Sequence, residues 1–274
     1  MTVPEKARFK AYFPVLDVDR AIVTDGVSTV YNCIAWTVGV SNRWLWPGNA
    51  LADFDTFYSG FGFVRGGDGS IAVWGHSTGH VTHGSVTGVG HGPRWESKCG
   101  GDLRIQHGIG ELVGSSYGRV VTFYRRASGV PDTNTDLLEV IVKEKSIKSY
   151  ISSGQRKSLV EERERVPSER RAAYGAAFQA WKATWFAGGL AINSNPQSRA
   201  LGKEYDALIA MGPAIIPLLV ESLADPDNFF ALQLYDAIQP NEQLLVQIGP
   251  NDERILEGEQ GRAQRVVQTW FANR

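Results

Sequence analysis

Two kinds of apolar spacing divide the chain. Up to about residue 128, apolar residues come in short runs between glycines. Ser70-Ile71-Ala72-Val73-Trp74 and Arg119-Val120-Val121-Thr122-Phe123-Tyr124 predict strands bounded by glycine. Tyr31 to Val38 predicts a helix, with Gly39 as its stop. Gly66-Gly67-Asp68-Gly69 has no following Lys-Ser/Thr and no helix start, so it predicts a hairpin turn and not a phosphate loop. The mixture predicts an α+β domain over 1–128.

Beyond residue 167 the spacing turns helical. Pro167-Ser168 predicts a helix start with Ser168 as N-cap, and Ala173, Ala177, Trp181 and Trp185 recur every four residues. Tyr205 to Met211 predicts a helix stopped by Gly212-Pro213, and Ile215, Leu218, Leu219 and Leu223 form the next stripe. Asp225-Pro226-Asp227 breaks that stripe and caps a helix from Asn228 to Ile238. Ala263, Val266, Val267, Trp270 and Phe271 predict a final amphipathic helix. Such short helix pairs suggest one or two HEAT-type units over 167–274, whose usual use is a scaffold or partner surface. Between the halves, 129–166 predicts a connector. It holds the break Gly129-Val130-Pro131-Asp132-Thr133-Asn134, then Leu137 to Val142 as one strand or a short helix. The charge run from Lys143 to Arg171 predicts a solvated helix face.

Composition narrows the function classes. The 274 residues carry a formal net charge of −1 and are 43% apolar, enough for a packed core. Near-zero charge argues against nucleic acid as a partner, since phosphate neutralisation needs a basic surplus. No apolar run approaches the ~20 residues that span a bilayer, so no membrane association is expected. Met1 to Asp17 carries early charges and does not read as a secretory signal. The expectation is a cytoplasmic protein, or one exported without a classical signal peptide. Two cysteines, Cys33 and Cys99, exclude a disulfide-stapled scaffold and fit a reducing compartment.

Candidate chemistry sits in the first half, which holds all five histidines, His76, His80, His83, His91 and His107. Cys33 falls at the predicted helix start, where unpaired N–H groups and the helix dipole favour the thiolate and can cradle an oxyanion. A thiol nucleophile needs a base. His80 opens the strand-like Gly79-His80-Val81-Thr82-His83, and His107 ends the next apparent strand, placed to orient an imidazole, with Asp102 as a substitute. The plainer reading makes Cys33 a small core residue, and Cys99 is read as structural. A zinc site drawing on His76, His80 and His83, with Cys99 and His107 further on, is the rival chemistry. Ser77-Thr78-Gly79 disfavours the helix that His-x-x-x-His needs, and His80 and His83 fall on opposite faces of a strand, so no metal is expected. Trp36, Trp44, Trp46 and Trp95 either line a substrate groove or fill the core.

Asn32-Cys33-Ile34-Ala35-Trp36 followed by Arg43-Trp44-Leu45-Trp46-Pro47 resembles an uncharacterised bacterial and fungal family with the same two motifs. That family has in order a His-Ala-Ala-like strand, Trp-x-Ser-Lys-Leu-Gly, Ile-x-His and Tyr-Gly-x-Val. This chain has His80-Val81-Thr82, Trp95-Glu96-Ser97-Lys98-Cys99-Gly100, Ile105-Gln106-His107 and Tyr117-Gly118-Arg119-Val120. The resemblance covers roughly residues 25 to 126. The family is similar in pattern to the papain-like superfamily, above all its NlpC-type branch. The resemblance implies a papain-like fold with Cys33 as nucleophile, His80 as base and His107 as orienter. Two departures stand out: Cys99 replaces the Leu, and His83 offers a second base.

Together these residues predict a cysteine-dependent hydrolase or acyl transferase acting on an amide, whether a peptide bond, a cell-wall crosslink or a Gln/Asn side chain. Its catalytic residues would be Cys33, His80 and His107. Asn32, Trp36, Trp44, His83 and Trp95 would contact substrate, with no cofactor. A peptide or protein substrate is expected, with a protein partner on the helical half. A bacterial effector or toxin role fits a thiol hydrolase of this kind. The alternative is a non-catalytic binding module on the same fold.

Overall fold

The computed structural model describes residues 1–67, 69–87, 94–128 and 151–273. The predicted element at Leu137 to Val142 and the candidate His91 lie outside the described residues. The chain divides into two compact units. The first comprises Met1–Glu144, Gly188–Asn195 and Gly249–Ile255; the second comprises Lys145–Ala187, Pro196–Ile248 and Leu256–Arg274. The units do not follow chain order: two short pieces of the stretch after residue 167 belong to the first unit.

The first unit opens with α1 (Val3–Tyr12), an element the apolar pattern does not announce. Thr2 caps it, and the Thr2 N–H donates to Glu5 Oε2 at 2.6 Å, the reciprocal arrangement of a capping box. Among the described residues seven strands follow: β1 (Ile22–Asp25), β2 (Phe63–Arg65), β3 (Ile71–Ser77), β4 (His80–Thr87), β5 (Trp95–Lys98), β6 (Arg104–His107) and β7 (Arg119–Arg126). They form one antiparallel sheet in the order β1-β6-β5-β4-β3-β7-β2. The two predicted strands are β3 and β7, each slightly longer than expected. The glycine run 66–69 is not a hairpin turn. It joins β2 to β3, which lie on either side of β7, so the connection crosses a strand.

One side of the sheet carries an apolar cluster that joins Phe9 and Phe13 of α1 to Trp74, Cys99, Leu103, Ile105, Leu112, Tyr117 and Ile192. The other side takes α2 (Cys33–Thr37), which packs on β4 and β5, and α3 (Leu51–Ser59), which packs on β2. Asn32 caps α2 by accepting the Ala35 N–H at 3.1 Å. The helix ends before Gly39, whose φ of 77° supplies the left-handed turn. It is five residues long, shorter than the Tyr31–Val38 expectation.

The second unit is helical: α4 (Ser153–Arg165), α5 (Ser168–Thr184), α6 (Lys203–Ile209), α7 (Ile216–Leu223), α8 (Leu232–Ile238) and α9 (Gly258–Ala272). The described part of the charge run falls on α4, whose one buried residue is Leu159, and on the start of α5. Ser168 is not a cap. It is the first helical residue, after Pro167. The buried face of α5 is Tyr174, Phe178 and Trp181, continuing to Trp185; Ala173 is exposed. The large rings, not the alanines, define that stripe. Asp225 caps the helical turn at 226–231 by accepting the Asp227 N–H. No single helix among the described residues is long and apolar enough to cross a bilayer.

Candidate functional site

Cys33 is the first residue of α2, as the sequence implies, and it has no exposed surface. The ladder between β4 and β5 runs through Val86 and Thr87 only, which leaves Gly84 open toward α2. The thiol sits there. Backbone N–H groups of Gly84 and Ile34 reach the sulfur, and each favours the thiolate. The thiol itself donates to Ser194 Oγ at 3.1 Å. Burial outweighs these donors and pushes the thiol up to about 11. The magnitudes explain why the sequence expectation of a ready thiolate fails. A helix terminus contributes about 0.3–1 kcal/mol, less than one pKa unit, whereas full burial shifts a group by about 3–5 units.

The expected Cys33–His80 pair does not form. His80 lies exposed at the tip of the β3–β4 hairpin, its ring 5.2 Å from that of exposed His76. A strand start at a two-residue hairpin turn points into solvent, not into a groove.

The buried imidazoles are His83 and His107, both without exposed surface. His107 Nδ1 lies 2.8 Å from the Gly108 carbonyl. A carbonyl only accepts, so Nδ1 carries the proton and Nε2 is a lone pair. The Ser97 hydroxyl, 2.8 Å away, therefore donates to His107 Nε2. With its proton committed, Ser97 Oγ accepts from His83 Nε2–H at 2.9 Å and from the Ser85 hydroxyl at 2.7 Å. Ser85 in turn accepts from Trp74 Nε1–H at 2.8 Å. Every proton in this network is thus assigned. The remaining acceptor is His83 Nδ1, which is buried and has no hydrogen-bond partner. The His83 ring stacks on Tyr117 at 3.9 Å with 6° between planes. Burial, then the neighbouring His107, holds His83 well below the usual imidazole range; burial lowers His107 to about 4. Both are neutral at pH 7.

His83 stands one residue from Gly84, whose N–H meets the Cys33 sulfur. His83, Ser97 and His107 thus form one buried network beside β4, and Cys33 sits against the backbone of the neighbouring Gly84. His107 is linked through Ser97 to His83, and not to His80. Ser97 was not singled out beforehand. Its signal was the Trp-x-Ser-Lys motif itself.

Other expected site residues have structural work. Asn32 is buried and holds α2 to the loop after it. Its Nδ2 donates to the Leu45 carbonyl at 2.7 Å, and its Oδ1 accepts the Leu45 N–H. Trp44 has no exposed surface, and its Nε1 donates to the Ser194 carbonyl at 2.7 Å. Trp36 is half-buried under the Arg104 guanidinium, 3.8 Å from its ring centroid. Half-buried Trp95 packs on Phe123. Asp102 does not substitute for His107; both its oxygens accept from Arg8 at 2.8 Å. Cys99 is buried, and its thiol is pushed up by burial. Lys98 explains the rest of the Trp-x-Ser-Lys motif. Its ammonium donates to the carbonyls of Ser28, Gly100 and Asp102 at 2.8, 2.7 and 2.6 Å, and burial lowers it to about 8. Among the described residues no group of three or more His, Cys, Asp or Glu is arranged to hold a metal ion.

Residues 22–125 match a family profile described as a domain of unknown function, DUF7689. The match is confined to the first unit. It takes in α2, α3, β1 to β6 and all of β7 but Arg126. No curated protein and no solved structure matches the chain.

Proposed function

We propose that the first unit is a cysteine-dependent hydrolase or acyl transferase of papain-like type, acting on an amide, with His83 in the role expected of His80. The observation that carries this reading is the orphaned His83 Nδ1. A buried acceptor without a partner costs roughly 1–3 kcal/mol, and such groups call for a reason. Here the other ring nitrogen is locked through Ser97 to His107, and the adjacent residue touches the Cys33 sulfur. In the reaction Cys33 Sγ attacks the amide carbonyl carbon, and its proton passes to His83 Nδ1. That proton goes to the departing nitrogen as the C–N bond breaks. Water, or another acceptor nucleophile, then cleaves the thioester and restores the thiol. The Ile34 and Gly84 N–H groups, which reach the sulfur, would stabilise the thiolate before attack.

Burial of the thiol favours a second reading, a non-catalytic module that binds partners on the same fold. The helical second unit would act as a HEAT-like partner surface in either case. Incubation of wild type, Cys33→Ala and His83→Asn with peptide, protein and cell-wall substrates separates the two. Mass spectrometry would show cleavage, transfer or a deamidation shift in wild type alone. Identical product sets for all three proteins would leave only the binding module.

A further inference from the structure

The Cys33 thiol is closed by a piece of chain that the helical half sends into the first unit. Gly188–Asn195 belongs to the first unit, while Ala187 and Pro196, its neighbours in sequence, belong to the second. A 3₁₀ turn at Gly188–Ala191 leads into an irregular stretch ending at Asn195. Four donors reach its carbonyls. Tyr12 Oη donates to Gly188 at 2.9 Å and the Gly101 N–H to Ala191 at 2.7 Å. Tyr117 Oη donates to Ile192 at 2.9 Å and Trp44 Nε1 to Ser194 at 2.7 Å. Ser194 presents its hydroxyl to Cys33. Gly100 gives the segment room: a Cβ there would stand 2.5 Å from the Ile192 carbonyl carbon, and φ is +53°. Tyr117, which binds the segment, also stacks on His83.

A row of donors to four carbonyls of one short segment, beside a cysteine, reads a polypeptide main chain. We propose that Gly188–Asn195 occupies the place of a peptide substrate and keeps the site closed until it is displaced. The ligand class of the groove is then a main-chain segment with a small residue, here Ser194, opposite the sulfur. This rests on the reading of Cys33 as nucleophile.

The test uses the whole protein and iodoacetamide pulses across a urea series below the global unfolding transition, with Cys33 and Cys99 quantified separately by peptide mass spectrometry. Both thiols are buried; Cys33 lies against Ser194, and Cys99 shares an apolar cluster with Ile192 of the segment. A displaceable segment makes Cys33 label well below the global transition, on the order of ten-fold or more faster than global unfolding allows, through local opening. Gly100→Ala raises this sub-global Cys33 labelling further. Labelling of both cysteines together, only at the global transition, overturns the proposal and makes the segment a fixed part of the core. The wild-type series decides the matter if Gly100→Ala does not fold. At one fixed pH the urea dependence of labelling reports access, whereas its pH dependence reports acidity. An opened thiol of ordinary acidity would leave this inference standing while the hydrolase reading falls. Labelling confined to the global transition would remove the displaceable segment and leave the hydrolase reading to the pH profile of the thiol.

Discussion

Cys33 and Ser194, 161 positions apart in sequence, share a hydrogen bond of 3.1 Å in which the thiol is the donor. The bond has a direct chemical consequence. The thiol proton is committed to a hydroxyl and the sulfur has no exposed surface, so the closed form is not an ionised nucleophile. Ser194→Ala removes this partner and costs about 0.5–1.5 kcal/mol, the usual range for one intramolecular hydrogen bond. Urea melts measure it; an unchanged midpoint would mean that the bond does not hold the segment.

The buried imidazoles predict acid lability. His107 is lowered to about 4, and His83 lies well below its usual range. In the unfolded chain each titrates near its ordinary value of about 6.5. Between these pH values the unfolded state binds more protons, so stability falls as pH falls. The slope is about 1.4 kcal/mol per pH unit for each titrating group. Denaturant melts between pH about 7.5 and about 5 should show this loss, and His107→Gln should reduce the slope. A stability independent of pH over that range would contradict neutral, buried rings.

Lys98 predicts a large structural effect at a position outside the proposed chemistry. Its ammonium satisfies three carbonyls, and two of them, Gly100 and Asp102, lie in the loop that meets the segment. Lys98→Met leaves these acceptors without their donor and should cost roughly 3 kcal/mol. Chemical denaturation measures this cost, and a cost below about 1 kcal/mol would mean that water replaces the ammonium.

His80 and Asp102 serve as controls for the proposed site. His80→Ala changes an exposed side chain and should leave stability within about 0.5 kcal/mol and activity unaltered. Asp102→Asn weakens the paired bonds from Arg8 and lowers stability, yet should leave the imidazole titration by NMR where it was. An imidazole shift in Asp102→Asn would restore Asp102 as an orienter.

Much of the first unit was legible locally. Cys33 at the start of α2, with Gly39 as its stop, follows from an N-cap Asn32 and a left-handed glycine, both fixed by neighbours in sequence. β3 and β7 follow from runs of β-branched and aromatic residues. Thr2-Val3-Pro4-Glu5 is a readable capping box, but the short charged stretch around it masked α1. The choice between His80 and His83 was not legible, because it turns on which residue clears a hairpin tip. Ser97 between two imidazoles depends on the side-by-side register of β4, β5 and β6. The segment at Gly188–Asn195 was hidden by its setting. Gly188-Gly189 and Asn193-Ser194-Asn195-Pro196 are turn signals inside a helical stretch, and only tertiary packing makes them neighbours of Cys33.

The most direct measurement is the pH dependence of Cys33 alkylation in Gly100→Ala, with and without His83→Asn. The account predicts a midpoint near or below neutrality in Gly100→Ala, moving to the ordinary thiol range of about 8.5 when His83 is replaced. A midpoint at about 8.5 or higher, indifferent to His83→Asn, would contradict it.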